Sequence, residues 1–126
     1  MNKEPSGGVK FLVVMLYLVG VILQAVIMYS DLSEGVDLMV AAASGNVAGL
    51  RTLVADGVNL DETDKEGKTA LMYASDGGHV DAVKFLIESR ANPNLKAKNG
   101  KTAMMFAADK GHTQIVQILK NAGAKE

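Results

Sequence analysis

The chain contains no cysteine and no tryptophan, and it has only two prolines and two histidines. Without cysteine it forms no disulfide, offers no thiol nucleophile and lacks a thiolate metal site. Two histidines alone do not make a metal centre, which needs three or four ligands in one place. We therefore predict no metal site. Charged residues nevertheless make up 21% and hydrophobic residues 48% of the chain, a composition typical of folded proteins.

Phosphate-binding and nucleic-acid-binding patterns are also missing. The two Gly-Lys-Thr strings, at 67–69 and 100–102, lack the glycine five residues earlier that a phosphate loop carries. Residues 31–126 hold eleven Lys or Arg and thirteen Asp or Glu, whereas nucleic-acid binders usually have a concentrated basic face. The sequence shows no nucleophile and no convergent carboxylates. We therefore expect that the chain is not an enzyme and that it binds no cofactor, no small-molecule substrate and no nucleic acid.

A long apolar run near the N-terminus is the first feature that is present. Residues 11–29 form nineteen uncharged positions, with Gln24 the only strongly polar side chain. As a helix they would measure about 28 Å, close to the hydrocarbon thickness of a bilayer, roughly 30 Å. We predict a transmembrane helix here. A cleavable signal sequence is the alternative, although the run exceeds the usual length and Met28-Tyr29-Ser30 is a poor cleavage site.

Flanking charges predict the orientation. Lys3 and Lys10 precede the run, whereas no Lys or Arg follows it until Arg51. The positive-inside rule then makes residues 1–10 a cytoplasmic tail and exports the C-terminal part, into the periplasm if the source is bacterial. Cleavage would instead release a secreted or periplasmic soluble domain. We expect residues 30–33 to be a linker.

Beyond residue 33 the sequence repeats itself. The segment GKTALMYASDGGH at 67–79 returns as GKTAMMFAADKGH at 100–112, with nine of thirteen positions identical. Because a single helix pair cannot bury its apolar face, such repeats stack until a continuous core forms. The 33-residue register divides the chain into units 34–66, 67–99 and 100–126, the last cut short.

Each unit predicts two short helices. Gly45, Gly78 and Gly111 share one position, suited to the left-handed turn that ends a first helix. Apolar residues then recur at three- and four-residue spacing, as on one face of a second helix. The last unit has Lys120 where the middle unit has Ile87, as a terminal repeat requires when nothing covers it.

The motif G-x-T-A-x-M-x-A-x-x-x-G-H, with the A-N-P-N loop before Asn99, resembles ankyrin repeats over residues 34–126. The resemblance implies an all-α solenoid of three helix-turn-helix repeats with short hairpin loops, here preceded by one transmembrane helix. It also implies a non-enzymatic module that binds a protein partner. Where the family usually has T-P-L-H, this chain has Thr-Ala-Leu-Met at 69–72 and Thr-Ala-Met-Met at 102–105. We expect a softer stack, because a helix-starting proline and a bonding histidine are lost.

The resemblance also indicates where a partner binds, since ankyrin-like stacks use their hairpin tips and the outward positions of their first helices. Carried over, these positions are Lys65, Glu66, Lys68, Tyr73, Asp76, Lys98, Asn99, Lys101, Phe106, Asp109 and Lys110. Tyr73 and Phe106 lie 33 residues apart and should be side by side. They are either exposed aromatic anchors or rings packed within the stack.

Other repeated residues are expected to be structural. His79 and His112 share one position and should hydrogen-bond at the start of the second helix. Asp76 and Asp109 should form a solvated row. Arg90 stands at a turn position that is glycine in the other units, where a left-handed backbone would cost on the order of 1 kcal/mol.

Two functional hypotheses follow. The first is a membrane-tethered adaptor that binds a partner through its concave face. The second is a small structural subunit of a membrane complex, assembled through its transmembrane helix, where Gln24 would hydrogen-bond to a neighbouring helix. Residues 31–64 carry seven acids and one base, and residues 65–126 six acids and ten bases. This asymmetry either steers a partner or is an uneven solvated surface.

Overall fold

The computed structural model describes the backbone of residues 7–125 and the side chains of residues 12–24 and 38–125. Over these residues the backbone forms helices and turns, and it contains no strand. The helices are α1 (Gly7–Ser44), α2 (Val47–Ala55), α3 (Ala70–Asp76), α4 (Val80–Glu88), α5 (Ala103–Asp109) and α6 (Thr113–Asn121). Helices α2, α4 and α6 begin 33 residues apart, as do α3 and α5. The prediction of an all-α repeat fold is confirmed.

Helix α1 differs from the sequence-based expectation of a span, a linker and a separate first repeat helix. It is one helix of 38 residues that includes all three segments. Residues 30–33, predicted to be a linker, have helical backbone because they contain neither proline nor glycine to interrupt it. The boundary between the two compact units of the chain falls between Ser33 and Glu34.

No helix in the part of the chain searched, the described residues, is long and apolar enough to cross a membrane. The predicted span at 11–29 lies partly outside those side chains, and most of the predicted cytoplasmic tail lies outside the described residues altogether. Within residues 12–23 the large apolar side chains are solvent-exposed, from 43% for Met15 to 71% for Tyr17. A function for the chain must account for this exposed apolar surface.

The three repeats share one hydrophobic core that continues from each repeat to the next. Helix α3 packs against α5, and α4 packs against both α2 and α6. Leu38, Leu71 and Met104 occupy one repeat position, and all three are buried. Three residues further along, each first helix has a small buried residue that lets the helices approach closely. These residues are Ala41, Ala74 and Ala107. Each repeat therefore completes the burial of the next.

Threonine caps fix the start of α3 and α5. The side chains of Thr69 and Thr102 accept hydrogen bonds from the backbone N–H groups of Met72 and Met105, at 3.3 and 3.4 Å. The Met72 sulfur in turn accepts from the Thr69 N–H at 3.4 Å. This reciprocal arrangement is a capping box in which a weak sulfur acceptor replaces the usual Glu or Gln oxygen. The cap forms without the proline that the family pattern places at the next position.

Two histidines connect neighbouring repeats. His79 Nε2 lies 2.8 Å from the Ala43 carbonyl oxygen, and His112 Nε2 lies 3.2 Å from that of Asp76. Because a carbonyl only accepts, Nε2 donates in both cases. Each acceptor is one of the last carbonyls of a first helix, which have no partner within their own helix. The predicted structural role is confirmed, although each ring reaches back to the preceding repeat and does not cap its own helix.

The turn after each first helix contains a glycine with a left-handed backbone. Gly78 has a φ of +74°, and a Cβ built on it would lie 2.8 Å from His112 Cε1. Both the left-handed backbone and the neighbouring ring therefore make a side chain at Gly78 unfavourable. Gly45 has the same relation to His79, with a distance of 2.6 Å from its Cβ position to Nδ1. The predicted left-handed turns are confirmed.

Arg90 has a φ of 72°, whereas the equivalent Gly57 and Gly123 have φ values of 82° and 92°. We expect Arg90→Gly to relieve a strain on the order of 1 kcal/mol and to raise the melting temperature by about 4 °C or more. Thermal unfolding followed by circular dichroism measures this. Ser89→Gly is the matched control. Because Ser89 has a φ of −84°, glycine relieves no strain there and should lower the melting temperature. An unchanged or lowered melting temperature for Arg90→Gly would contradict the strain.

Candidate functional site

Two tight hairpin tips stand at the starts of the second and third repeats. The backbone N–H of Asp64 donates to the Lys68 carbonyl at 3.1 Å, and that of Ala97 donates to the Lys101 carbonyl at 2.9 Å. A further bond, from the Lys98 N–H to the Glu66 carbonyl at 2.9 Å, joins the two tips directly. The tips are therefore held side by side, next to α3 and α5.

The predicted partner-binding residues differ in exposure. Those that are exposed are Lys65, Glu66, Lys98, Asn99, Asp109 and Lys110. Those of intermediate exposure are Lys68, Tyr73, Asp76 and Lys101. Phe106 alone among them is buried, at 8% exposure. Most of the set is thus available to a partner, and Phe106 is not.

Lys68 lies over both the Tyr73 and the Phe106 ring. Its Nζ lies 5.5 Å from the centre of the Tyr73 ring and 5.4 Å from the centre of the Phe106 ring. Lys101 Nζ lies 5.9 Å from the same Phe106 ring. Cation–π contacts of this kind cover the ring faces with ammonium groups. Tyr73 and Phe106 are adjacent as predicted, but the alternative of an exposed anchor is wrong for Phe106, which packs within the stack.

Asp64, which the sequence analysis did not select, organises the first hairpin tip. Its Oδ1 accepts the backbone N–H groups of Glu66 and Lys68, both at 2.9 Å, and the Tyr73 hydroxyl donates to Oδ2. Burial by itself would raise the pKa of Asp64, but these hydrogen bonds outweigh it and hold that pKa below its ordinary value. An aspartate three residues before a turn glycine is the signal that could have identified it.

Tyr73 is the other half of this arrangement. Its hydrogen bond to Asp64, together with burial and the charges of Asp64 and Glu66, raises the pKa of Tyr73 to about 12. The phenol therefore remains protonated and keeps donating at physiological pH. One tyrosine and one aspartate thereby tie the hairpin tip to α3.

Ion pairs neutralise several of the remaining charges on this face. Lys68 pairs with Glu66 at 3.2 Å, and Lys101 pairs with Asp109 at 2.5 Å. Lys110 of the third repeat lies 3.9 Å from Asp76 of the second. The two repeated aspartates are partly solvent-exposed, as the prediction of a solvated row requires. Exposed pairs of this kind contribute little to stability, so their lysines and acids stay available for exchange with a partner.

Lys65 and Lys98 differ from the other lysines of the tips. Both are exposed, and neither forms an ion pair with any side chain in the described part of the chain. They lie one residue after Asp64 and Ala97, at the same position of the two tips. Among the lysines of the predicted set, these two have ammonium groups that can pair with an acidic group of a partner without breaking an ion pair.

Val40 is a second residue that the sequence analysis missed. It lies 33 residues before Tyr73 and occupies the same repeat position as Tyr73 and Phe106. Its side chain is 61% exposed. Extending the register backwards from the two aromatic rings would have found it.

Among the described residues, no group of three or more His, Cys, Asp or Glu side chains is placed to hold a metal ion. The carboxylates of the face lie against lysines and backbone N–H groups. The arrangement offers hydrogen bonds and charges to a macromolecular surface.

The comparison with known proteins agrees with this repeating architecture. The family model for ankyrin repeats, in three copies, matches residues 38–126. The chain belongs to the ankyrin-repeat family. The crystal structure of the human ASB11 ankyrin repeat domain is similar to it, with 36% sequence identity and a TM-score of 0.67. That match covers 70% of this chain and only 40% of the ASB11 chain. A separate comparison with curated protein sequences found no match.

Ankyrin repeats are protein–protein interaction modules, and the fold is typically a non-enzymatic scaffold. On the face made by the hairpin tips and first helices, exposure changes along one repeat position. The side chain is exposed at Val40, half-buried at Tyr73 and buried at Phe106. The first repeat therefore offers apolar surface where the later repeats offer lysines.

We expect Tyr73→Phe to destabilise the folded repeats near neutral pH by about 1 kcal/mol or more, because the Asp64 carboxylate loses a donor. The pKa of Tyr73 is about 12 when folded and 10.0 in its ordinary state. The stabilisation is therefore complete below pH 10 and is lost as the pH rises towards 12. Urea unfolding at pH 7, 10 and 11 should show the two proteins converging with pH.

Tyr17→Phe removes the hydroxyl of an exposed tyrosine and serves as the matched control. It should leave the free energy of unfolding of the repeats at pH 7 unchanged. Equal stability of wild type and Tyr73→Phe at pH 7 would contradict the Tyr73 to Asp64 bond.

Proposed function

We propose that this chain is a membrane-anchored ankyrin-repeat adaptor, which binds a protein partner through the face made by its hairpin tips and first helices. The proposal rests on the solvent exposure of apolar and cationic side chains on this face. It combines the exposed Val40, the half-buried Tyr73 and the unpaired lysines Lys65 and Lys98. Interfaces commonly join an apolar centre to a polar rim in this way.

The exposed apolar side chains of α1 support the anchor. Apolar side chains from Leu12 to Leu23 are exposed in succession, on all sides of the helix. A water-soluble protein rarely leaves so large an apolar surface uncovered. The sequence continues this character to residue 29 without a charge. A bilayer would cover such a helix.

The charges at the two ends of the run support one orientation. Lys3 and Lys10 favour a cytoplasmic N-terminus, which places the ankyrin repeats on the exported side, in the periplasm if the source is bacterial. A secreted or periplasmic domain released by cleavage is the other arrangement to be tested.

A structural subunit assembled through the apolar helix is the competing function. Gln24 supports it, because this amide is exposed at the end of the described apolar side chains. In a bilayer such an amide hydrogen-bonds across to another helix. The two functions differ in which surface touches the partner.

Site-specific photo-crosslinking in cells of the source organism distinguishes them. A benzophenone side chain replaces Lys98 on the face, Lys84 on α4 as the matched control, or Gln24 in the apolar helix. We expect discrete adducts to another protein from position 98 and none from position 84. Adducts from position 24 alone would favour the structural subunit, and equal adducts from 98 and 84 would contradict binding through this face.

The same cells test the anchor and its orientation. A C-terminal tag should fractionate with the membrane at full length and should become accessible to protease when the outer compartment is opened. A soluble fragment shorter by about thirty residues would show cleavage of the apolar run as a signal sequence. A tag degraded only after lysis of the inner membrane would contradict export.

A further inference from the structure

Three neighbouring surface depressions on residues 39–99 share lining residues, and together they are called the trough below. The apolar end, about 280 Å³, is lined by Met39, Val40, Ala43, Asp64 and Tyr73. The middle, about 650 Å³, is lined by Thr63, Asp64, Lys65, Glu66 and Tyr73. The cationic end, about 240 Å³, is lined by Lys65, Glu66, Lys68, Lys98 and Asn99. Asp64 and Tyr73 link the first two cavities, and Lys65 and Glu66 link the last two.

The apolar end is open because the first repeat has no hairpin of its own. In the second and third repeats, Lys68 and Lys101 extend from hairpins and lie over the aromatic rings. In the first repeat the corresponding backbone, at 31–35, is part of helix α1. Val40 consequently remains 61% exposed beside Tyr73. An aliphatic side chain from another molecule would bury apolar surface at this end.

The cationic end has more ammonium groups than carboxylates. Its walls contain three lysines and one acid, Glu66, whose carboxylate already pairs with Lys68 at 3.2 Å. Lys65 and Lys98 are the two lysines that remain unpaired. The bond between the Lys98 N–H and the Glu66 carbonyl fixes the two tips that carry them. A carboxylate placed in this cavity would meet the positive charges of both lysines.

Asp64 gives the trough a direction. Its charge lies between the two ends, and the Tyr73 hydroxyl and two backbone N–H groups occupy both of its oxygens. An acidic group in the middle would face two carboxylates, Asp64 and Glu66, and one lysine. At the far end it would face three lysines and one carboxylate. The acidic and apolar groups of an occupant must therefore be separated.

We propose that the trough binds an acidic segment of a partner protein, with an aliphatic side chain against Val40 and Tyr73 and a carboxylate between Lys65 and Lys98. This inference rests on the proposed function and specifies the chemistry of the partner. The two ends are one repeat apart, and packed helices lie about 8–10 Å apart. An extended chain covers that distance in roughly three residues. The motif is thus an aliphatic residue with Asp or Glu three to four positions away.

Peptide selection on the full chain in detergent micelles tests this proposal. Random 12-residue peptides displayed on phage are selected on the wild type, and an enriched peptide is synthesised and titrated by fluorescence anisotropy. We expect enrichment of the aliphatic and acidic pair. The Lys65→Glu/Lys98→Glu variant should weaken binding at least tenfold, and Val40→Gln should weaken it several-fold.

Lys84→Glu/Lys125→Glu is the matched control, because it changes the net charge equally at lysines outside the trough, and it should leave the affinity unchanged. Circular dichroism checks that each variant is folded. Selected peptides without acidic residues, or equal affinity for the Lys65→Glu/Lys98→Glu variant, would overturn the inference. Lysine-dependent binding to phosphatidylserine vesicles, or lysine-dependent dimerisation, with no acidic peptide selected would overturn it as well. Crosslinks from position 98 would in each case still support the proposed adaptor function.

Discussion

The structure depends on one constraint, which is that a pair of short helices cannot bury both of its apolar sides. Leu38, Leu71 and Met104 satisfy it by forming one continuous row through three repeats. The polar contacts between repeats follow from the same stacking. Once the helices are aligned, each histidine ring reaches a carbonyl at the end of the preceding first helix, and that carbonyl would otherwise lack a partner.

The candidate site is a consequence of the stack. Stacking places two hairpin tips side by side, and Asp64 and Tyr73 tie the first of them to its helix. Because the first repeat continues from a long helix, it brings no hairpin to cover Val40. The face therefore changes from apolar to cationic along its length. A uniform ankyrin stack would not have produced this gradient.

The repeat register predicted what is periodic in the molecule. It placed the helices, the left-handed glycines and the adjacency of Tyr73 and Phe106, because equivalent residues in stacked repeats must be neighbours. It did not predict that Phe106 is buried, since that depends on how far the Lys68 side chain extends. Asp64 was missed because Ala97 takes its place in the next repeat. The continuity of α1 depends on the absence of proline between Gly7 and Ser44, which a register does not measure.

Hydrogen exchange of the full chain in detergent micelles, followed amide by amide with increasing urea, tests the central claim that the three repeats stabilise one another. Three repeats are near the minimum for a stable array, so none should persist without its neighbours. We predict that the amides of α2, α4 and α6 become exposed in one cooperative opening, with a common free energy and denaturant slope. Opening of α6 at low urea with a small slope, while α2 and α4 stay protected, would contradict it.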